Sequence, residues 1–175
     1  MNNIKPSEWI VNQLKPILEH KTINNMLDIA CGNGRHSIYF SKKIPKIFSI
    51  DINLNKIKSL SDYDNIFPIC FDLEKKSSWP LNFKFDVVVV VNYLYRKNFK
   101  NILDLVKFNG YLIYETFAEG NEKFGKPQNP NFLLKENELK KLIGEKFSIY
   151  KYSSGKILTP QISIKQRCVA KRVTS

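Results

Sequence analysis

The sequence has few cysteines, few acidic residues and no long apolar run. Its three cysteines, Cys31, Cys70 and Cys168, are widely spaced and odd in number. That argues against a disulfide framework and offers no metal-ligand spacing, so free thiols in a reducing cytoplasm are expected and no bound metal is. No apolar stretch reaches the ~18 residues of a membrane helix. The longest, Val87 to Val91, suits a buried strand. The opening Met1-Asn2-Asn3-Ile4-Lys5 lacks the apolar core of a signal peptide. These absences leave a cytoplasmic protein with no membrane partner as the expectation. No repeat, low-complexity tract or linker divides the chain, and 175 residues suit a single domain over 1–175.

Acidic residues number 16 against 28 Lys and Arg, which gives a formal net charge of +12. Such an excess can mark a nucleic-acid partner. Here the lysines are scattered, and Lys, Asn and Ile are abundant throughout, as a strongly AT-biased genome would produce. The nearest approach to a basic patch is Lys165, Arg167, Lys171 and Arg172, which alternate along a predicted strand.

What the sequence does have is concentrated in Met26-Leu27-Asp28-Ile29-Ala30-Cys31-Gly32-Asn33-Gly34-Arg35-His36-Ser37. The apolar half suits a buried parallel strand, the glycines allow positive φ and close ligand approach, and a helix follows. Strand, glycine turn and helix N-terminus make a nucleotide-binding element. A dinucleotide fingerprint would place a third glycine at position 37, where Ser37 stands. About twenty residues beyond the turn, the strand Lys46 to Asp51 ends in an acid. At that spacing an αβ nucleotide site places a carboxylate for both ribose hydroxyls.

The segment Leu27 to Gly34 resembles motif I of class I S-adenosylmethionine (SAM) dependent methyltransferases. The resemblance implies SAM as cofactor and Asp51 as its ribose ligand. It also implies Asp72, with apolar Ile52 and Leu73, around the adenine, and Asp28, Ala30, Cys31, Gly32, Gly34, Arg35 and Asn92 as further cofactor contacts.

In chain order, Pro6 to His20 reads as an amphipathic helix capped by Ser7, which Pro16 should kink or split. Asn25 to Ala30 is the first strand. Asn53 to Ser61 is a helix, and Ile66 to Leu73 is a strand. Phe85 to Val91 is a central strand whose five valines bury both faces. It ends in Asn92-Tyr93-Leu94-Tyr95-Arg96, at the strand end where ligands sit in open αβ sheets. Asn92-Tyr93 lacks the two prolines of an Asn-Pro-Pro-Tyr motif, which argues against methylation of base amines. Lys97 to Lys107 is a helix, Phe108-Asn109-Gly110 a turn and Tyr111 to Thr116 the fifth strand.

The long connection from Phe117 to Leu134 is read as a lid over the methyl acceptor. Phe117, Phe124 and Phe132 would supply its apolar cover, and Asn121, Glu122 and Asn129 its polar contacts. With Glu115 and Thr116 it resembles a segment of a small bacterial subfamily near the tellurite-resistance and thiopurine-type methyltransferases. Lys135 to Lys146 is a helix. Phe147 to Tyr152 and Ile162 to Ala170 are strands joined too closely for a crossover, so they should pair antiparallel. A reversed last strand marks the methyltransferase sheet and disfavours a nicotinamide oxidoreductase.

The expected fold is therefore α/β: a Rossmann-like seven-stranded methyltransferase sheet with an antiparallel last strand and helices on both faces. The expected function is SAM-dependent methyl transfer to a small-molecule acceptor by a monomer or homodimer. Two alternatives stay open: an RNA-directed methyltransferase, and a non-catalytic subunit that binds SAM or nucleic acid. Tyr93, Tyr95 and Glu115 are the candidates near the transferred methyl. His36 is expected to pack or to contact a helix end, and Arg96 to hold an anion or to pair at a helix start.

Overall fold

The computed structural model describes residues 5–75 and 79–174. Five strands run parallel at first: β1 (Asn25–Ile29), β2 (Lys46–Asp51), β3 (Ile66–Cys70), β4 (Phe85–Val91) and β5 (Val106–Phe117). A hairpin of β6 (Phe147–Ile157) and β7 (Ser163–Arg172) completes one sheet of order β3-β2-β1-β4-β5-β7-β6. β7 enters antiparallel beside β5, with Glu115 opposite Arg167 and Phe117 opposite Lys165. This is the sheet expected from the sequence, including the reversed last strand.

The helices are α1 (Glu8–His20), α2 (Arg35–Phe40), α3 (Leu54–Ile57), α4 (Phe99–Asp104) and α5 (Glu138–Ile143). The valine run of β4 explains the layering, since alternate side chains point to opposite faces. Val87, Val89 and Val91 pack with Ile10 and Leu14 of α1, Phe40 of α2 and Ile57 of α3. Val88 and Val90 pack on the other face with Phe99 and Ile102 of α4 and Leu139 and Ile143 of α5. Each fully buried side chain of this size contributes about 1.5–3 kcal/mol by leaving water, so the central strand fixes both layers at once.

Several boundaries differ from the sequence reading. Pro16 does not split α1, which runs unbroken from Glu8 to His20 with the Ser7 hydroxyl accepting from the Ile10 N–H. Pro16 and Asn12 are both exposed, so water can satisfy the carbonyl that proline leaves without a donor. β3 stops at Cys70, leaving Asp72 and Leu73 in the following turn. The helix expected to reach Lys107 ends at Asp104, and β5 already pairs at Val106. The expected turn at Phe108-Asn109-Gly110 lies inside a register shift of that strand, where Asn109 takes φ 62°. β6 runs on to Ile157 because it pairs with β7 along the whole hairpin.

The basic residues of the last strand do not form an outward patch. Arg172 is buried and donates to the carbonyls of Leu103 in the last turn of α4 and Val106 at the start of β5. Lys165 and Arg167 turn to the opposite end of the sheet, where the candidate site lies.

Candidate cofactor and acceptor site

The C-terminal ends of β1, β2, β4 and β5 open into three neighbouring cavities. The first, about 450 Å³, lies against the glycine turn and is bordered by Asp28, Gly32, Arg35, Asp51 and Asn92. The turn has its shape because Ala30, Gly32 and Gly34 take φ 51°, 58° and 69°. A Cβ added at Gly32 would meet nothing within 4 Å, so its missing side chain leaves open space at the cavity. Gly34 differs. A Cβ there would meet Leu60 Cδ2 at 2.5 Å, so this glycine permits packing of the helix layer rather than ligand approach.

Asp51 closes the turn onto β2. Its Oδ2 accepts from Gly32 N–H at 2.8 Å and its Oδ1 from Asn53 N–H at 2.9 Å. A carboxylate has about four acceptor positions, so each oxygen keeps one for a ligand hydroxyl. Asp28 is buried at the cavity floor and accepts from Ser37 Oγ at 2.7 Å, and Ser37 in turn accepts from Ser49 Oγ at 2.8 Å. Burial outweighs these bonds and pushes the Asp28 carboxyl up to about 6. A carboxylate whose charge is disfavoured by burial gains by receiving a cation. Burial, with Asp28 and Asp51 nearby, also pushes the Cys31 thiol up, so it is no nucleophile.

The second cavity, about 640 Å³, is walled by the start of α1, the segment after β5 and the β6–β7 hairpin. Its floor is Glu115, 2% exposed, held by Lys165 Nζ at 2.9 Å and Arg167 Nε at 2.7 Å. Burial alone would raise the Glu115 carboxyl. The two cations outweigh it and hold it ionised, below its ordinary range. Arg35, Lys5 and Lys126 add positive charge to the same walls. The Ser7 hydroxyl lies 3.3 Å from both Glu115 oxygens, and the Ser7 N–H donates to His36 Nε2 at 3.1 Å. His36 is thus a helix-end contact, as expected. Its burial pushes the imidazole down to about 3, which keeps the accepting nitrogen free of a proton.

The third cavity, about 560 Å³, lies under the connection after β5, among Tyr93, Leu94, Phe117, Pro127 and Phe132. The Tyr93 hydroxyl is buried without a hydrogen-bond partner, and burial pushes its proton affinity up. Asn92 borders all three cavities. It takes φ 57°, its N–H donates to Glu115 O at 2.8 Å, and its Oδ1 accepts from Lys165 Nζ at 2.8 Å.

The structure thus gathers Asp28, Ala30, Cys31, Gly32, Arg35, Asp51 and Asn92 around the first cavity and leaves Gly34, Ile52, Asp72 and Leu73 off its walls. Ile52 is 65% exposed beside Asp51, while Leu73 is buried in the core. Asp72 Oδ1 accepts from Glu74 N–H at 3.0 Å, as a turn cap does. The three candidates for the methyl also part: Glu115 borders the second cavity, Tyr93 the third and Tyr95 none of the three. Arg96 binds no free anion site. It donates to Glu138 and to the carbonyls of Asn131 and Leu133.

Of the polar residues expected to reach from the lid, Asn121 borders the second cavity and Asn129 the third, Glu122 borders none of the three, and all three also brace the segment. Asn121 donates to Pro127 O and accepts from Ile164 N–H, Glu122 accepts from Gly120 N–H, and Asn129 from Asn131 N–H. Lys165 and Arg167, expected only as part of a loose basic stripe, are site residues. The available signal was their spacing of two on a strand, which puts both on one face.

The sequence profile of the family described as tellurite resistance protein TehB matches residues 11–157. No curated protein matches the chain. Among solved structures, N-methyltransferase NodS from Bradyrhizobium japonicum WM9 is similar with a TM-score of 0.72 at 15% identity, over 94% of each chain. TehB from Haemophilus influenzae is similar with a TM-score of 0.73 at 20% identity, over 92% of this chain and 62% of that one. This chain therefore spans less than two thirds of that TehB. Magnesium protoporphyrin IX methyltransferase from Synechocystis PCC 6803, with bound S-adenosylhomocysteine (SAH), has a TM-score of 0.69 at 19% identity, over 94% and 80%. At these identities the structures establish a shared fold.

The residues around the first cavity fit a SAM-sized group by their own chemistry. Open space at Gly32, spare acceptor positions on Asp51 and the buried acid Asp28 provide for backbone approach, ribose hydroxyls and a cationic amino-acid end.

Proposed function

The chain belongs to the family of the tellurite resistance protein TehB, and on that premise we propose that this SAM-dependent methyltransferase acts on a small molecule held in the second and third cavities. The observation that carries the reading is the position of Asn92, among the described residues the one common to all three cavities. Methyl transfer needs donor and acceptor atoms in line at one point, and Asn92 marks where the spaces meet.

When bound, SAM supplies a methyl group already activated on a sulfonium. In the proposed site Asp51 accepts the ribose hydroxyls, and Asp28 faces the amino-acid end. Ile52 and Asp72 lie further along the strand ends, on the adenine side. The segment from Phe117 to Leu134 covers the acceptor and excludes water, which strengthens polar contacts inside. None of the three candidate groups suits proton removal. Tyr93 holds its proton tightly, Glu115 is ionised but engaged by two cations, and Tyr95 stands off the cavities. The chain's part is binding, orientation and exclusion of water, and the acceptor arrives without the proton it would otherwise lose.

Cavity size supports a small molecule. About 640 and 560 Å³ fall within the ~300–1,000 Å³ usual for ligand pockets. The inward course of Lys165, Arg167 and Arg172 also removes the nearest approach to an RNA-binding stripe.

The test is calorimetric titration of SAM into the wild-type protein and Asp51→Ala, followed by a metabolite screen for SAH release. The variant is expected to bind SAM about 1.5–3 kcal/mol more weakly, the usual value of hydrogen bonds to a charged group. Unchanged affinity in a folded variant rejects Asp51 as the ribose ligand.

A further inference from the structure

Asn92 Oδ1 accepts from Lys165 Nζ at 2.8 Å. An ammonium has three donors and no acceptor, so the oxygen of the amide must face it. This settles the orientation of the amide by chemistry, where density or packing alone leaves the two ends nearly alike. Lys165 is itself fixed. Its Nζ lies 2.9 Å from Glu115 Oε1 and 4.8 Å from the centre of the Phe117 ring. The Glu115 backbone carbonyl accepts from the Asn92 N–H, so one residue of β5 anchors both members of the pair. Among the described residues the Asn92 amide nitrogen has no protein partner, although the residue borders all three cavities.

We infer that Lys165 is a positioning residue for methyl transfer, locking the Asn92 amide so that its N–H donors face the junction of the cavities and select an acceptor atom bearing a lone pair and no proton. The inference rests on the reading of that junction as the transfer point. An amide N–H aimed at the junction stabilises a carboxylate, phenolate or thiolate group and leaves an ammonium unpaired. The basic walls around it, Arg35, Lys126 and Arg167, act in the same direction. Selection of a deprotonated acceptor also accounts for a site without a free general base. Charge on the walls alone would give no role to Asn92, and this difference is what can be measured.

The probes are benzoate and benzylammonium, which share a ring and differ in the sign of the polar group. Each is titrated into the full chain saturated with SAH. The wild-type protein is expected to bind benzoate at least tenfold more tightly than benzylammonium. Asn92→Gly keeps the net charge and suits φ 57°. It should weaken benzoate at least tenfold and leave benzylammonium within threefold. In a Lys165→Met background the amide is unlocked, so adding Asn92→Gly should cost less than threefold. In a Lys165→Arg background, where a donor still faces Oδ1, the full effect should return. Benzoate that binds no better than benzylammonium, or an Asn92→Gly effect absent in the wild type, overturns the inference. So does an effect of equal size in all three backgrounds. Should Lys165→Met fail to fold because buried Glu115 loses a cation, the neutral pair Lys165→Met with Glu115→Gln replaces it as the unlocked background, with the same outcomes expected. Failure of the wild-type protein to bind SAH would instead sink the reading of the cavities themselves.

Discussion

Gly32 and Gly34 look equivalent in the motif and do different work. Both take positive φ, which costs a residue with a side chain about 1 kcal/mol or more. Only Gly34 stands against the helix layer, with Leu60 within 2.5 Å of an added Cβ. A Gly34→Val variant is therefore expected to lose stability, by about 2–4 kcal/mol from strain and overpacking together. Gly32→Ala should lose about 1 kcal/mol of stability and weaken SAM at least tenfold, since its methyl group enters the cavity. Urea unfolding and SAM calorimetry on the two variants separate the effects. A Gly34→Val protein of wild-type stability would show that Leu60 moves aside freely and that the packing assignment is mistaken.

At the scale of elements, the segment from Phe117 to Leu134, proposed above as the lid, has a built frame. Its base is closed by the Ala118–Leu134 bridge and by the Glu119 N–H to Leu134 O bond. Its returning limb is clasped by Arg96, whose guanidinium bonds Glu138 at 2.6 and 2.8 Å and the carbonyls of Asn131 and Leu133 at 2.7 Å each. Arg96 follows β4, so one residue joins the strand that carries Asn92 to the return of the lid. The ion pair is partly exposed, with side chains 32% and 17% accessible, so solvent screening keeps its share small. Arg96→Met should cost about 1–2 kcal/mol of global stability, mostly through the lost carbonyl bonds. Its sharper effect is local. Amide hydrogens over 119–134 should exchange at least tenfold faster while SAM affinity changes less than threefold. Faster exchange confined to α5 would mean that Arg96 braces the helix and not the lid.

At the scale of the whole molecule, two buried groups give the stability opposite dependences on pH. The Asp28 carboxyl is raised from 3.8 to about 6. The native state therefore binds more protons than the unfolded one in that window, and stability is gained as pH falls through it. The His36 imidazole is lowered from 6.5 to about 3. The unfolded state takes the extra proton there, so stability is lost as pH falls below 6.5. Each slope is about 1.4 kcal/mol per pH unit, and between pH 6 and 4.5 the two oppose. Urea unfolding of the wild-type protein should show little change across that interval. Asp28→Asn should be more stable at pH 7, by about 1–3 kcal/mol, and should then lose about 2 kcal/mol between pH 6 and 4.5. Parallel profiles for the two proteins would refute the balance. The cost of Asp28 at neutral pH is what a buried acid is expected to carry when it faces a cavity proposed to take the cofactor.

The sequence by itself determined the features that depend on neighbours along the chain. Ser7 caps α1 because a hydroxyl reaches an N–H three residues on. The five valines of β4 required cover on both faces, and the glycine turn with Asp51 nineteen residues beyond Gly32 marked the end of the sheet where the first cavity opens. The short β6–β7 connection left no room for a crossover and so fixed the reversed strand. Tertiary structure decided the rest, because partner choice depends on strand register and layer packing. Glu115 meets Lys165 and Arg167 across separations of 50 and 52 residues. Arg96 meets Glu138 across 42, and His36 meets Ser7 across 29. No local pattern encodes these pairs, since a slip of one residue in β7 would turn both basic side chains to the opposite face of the sheet. That register turned a scatter of surface charge into the floor of a cavity, and it set which end of the Asn92 amide Lys165 holds.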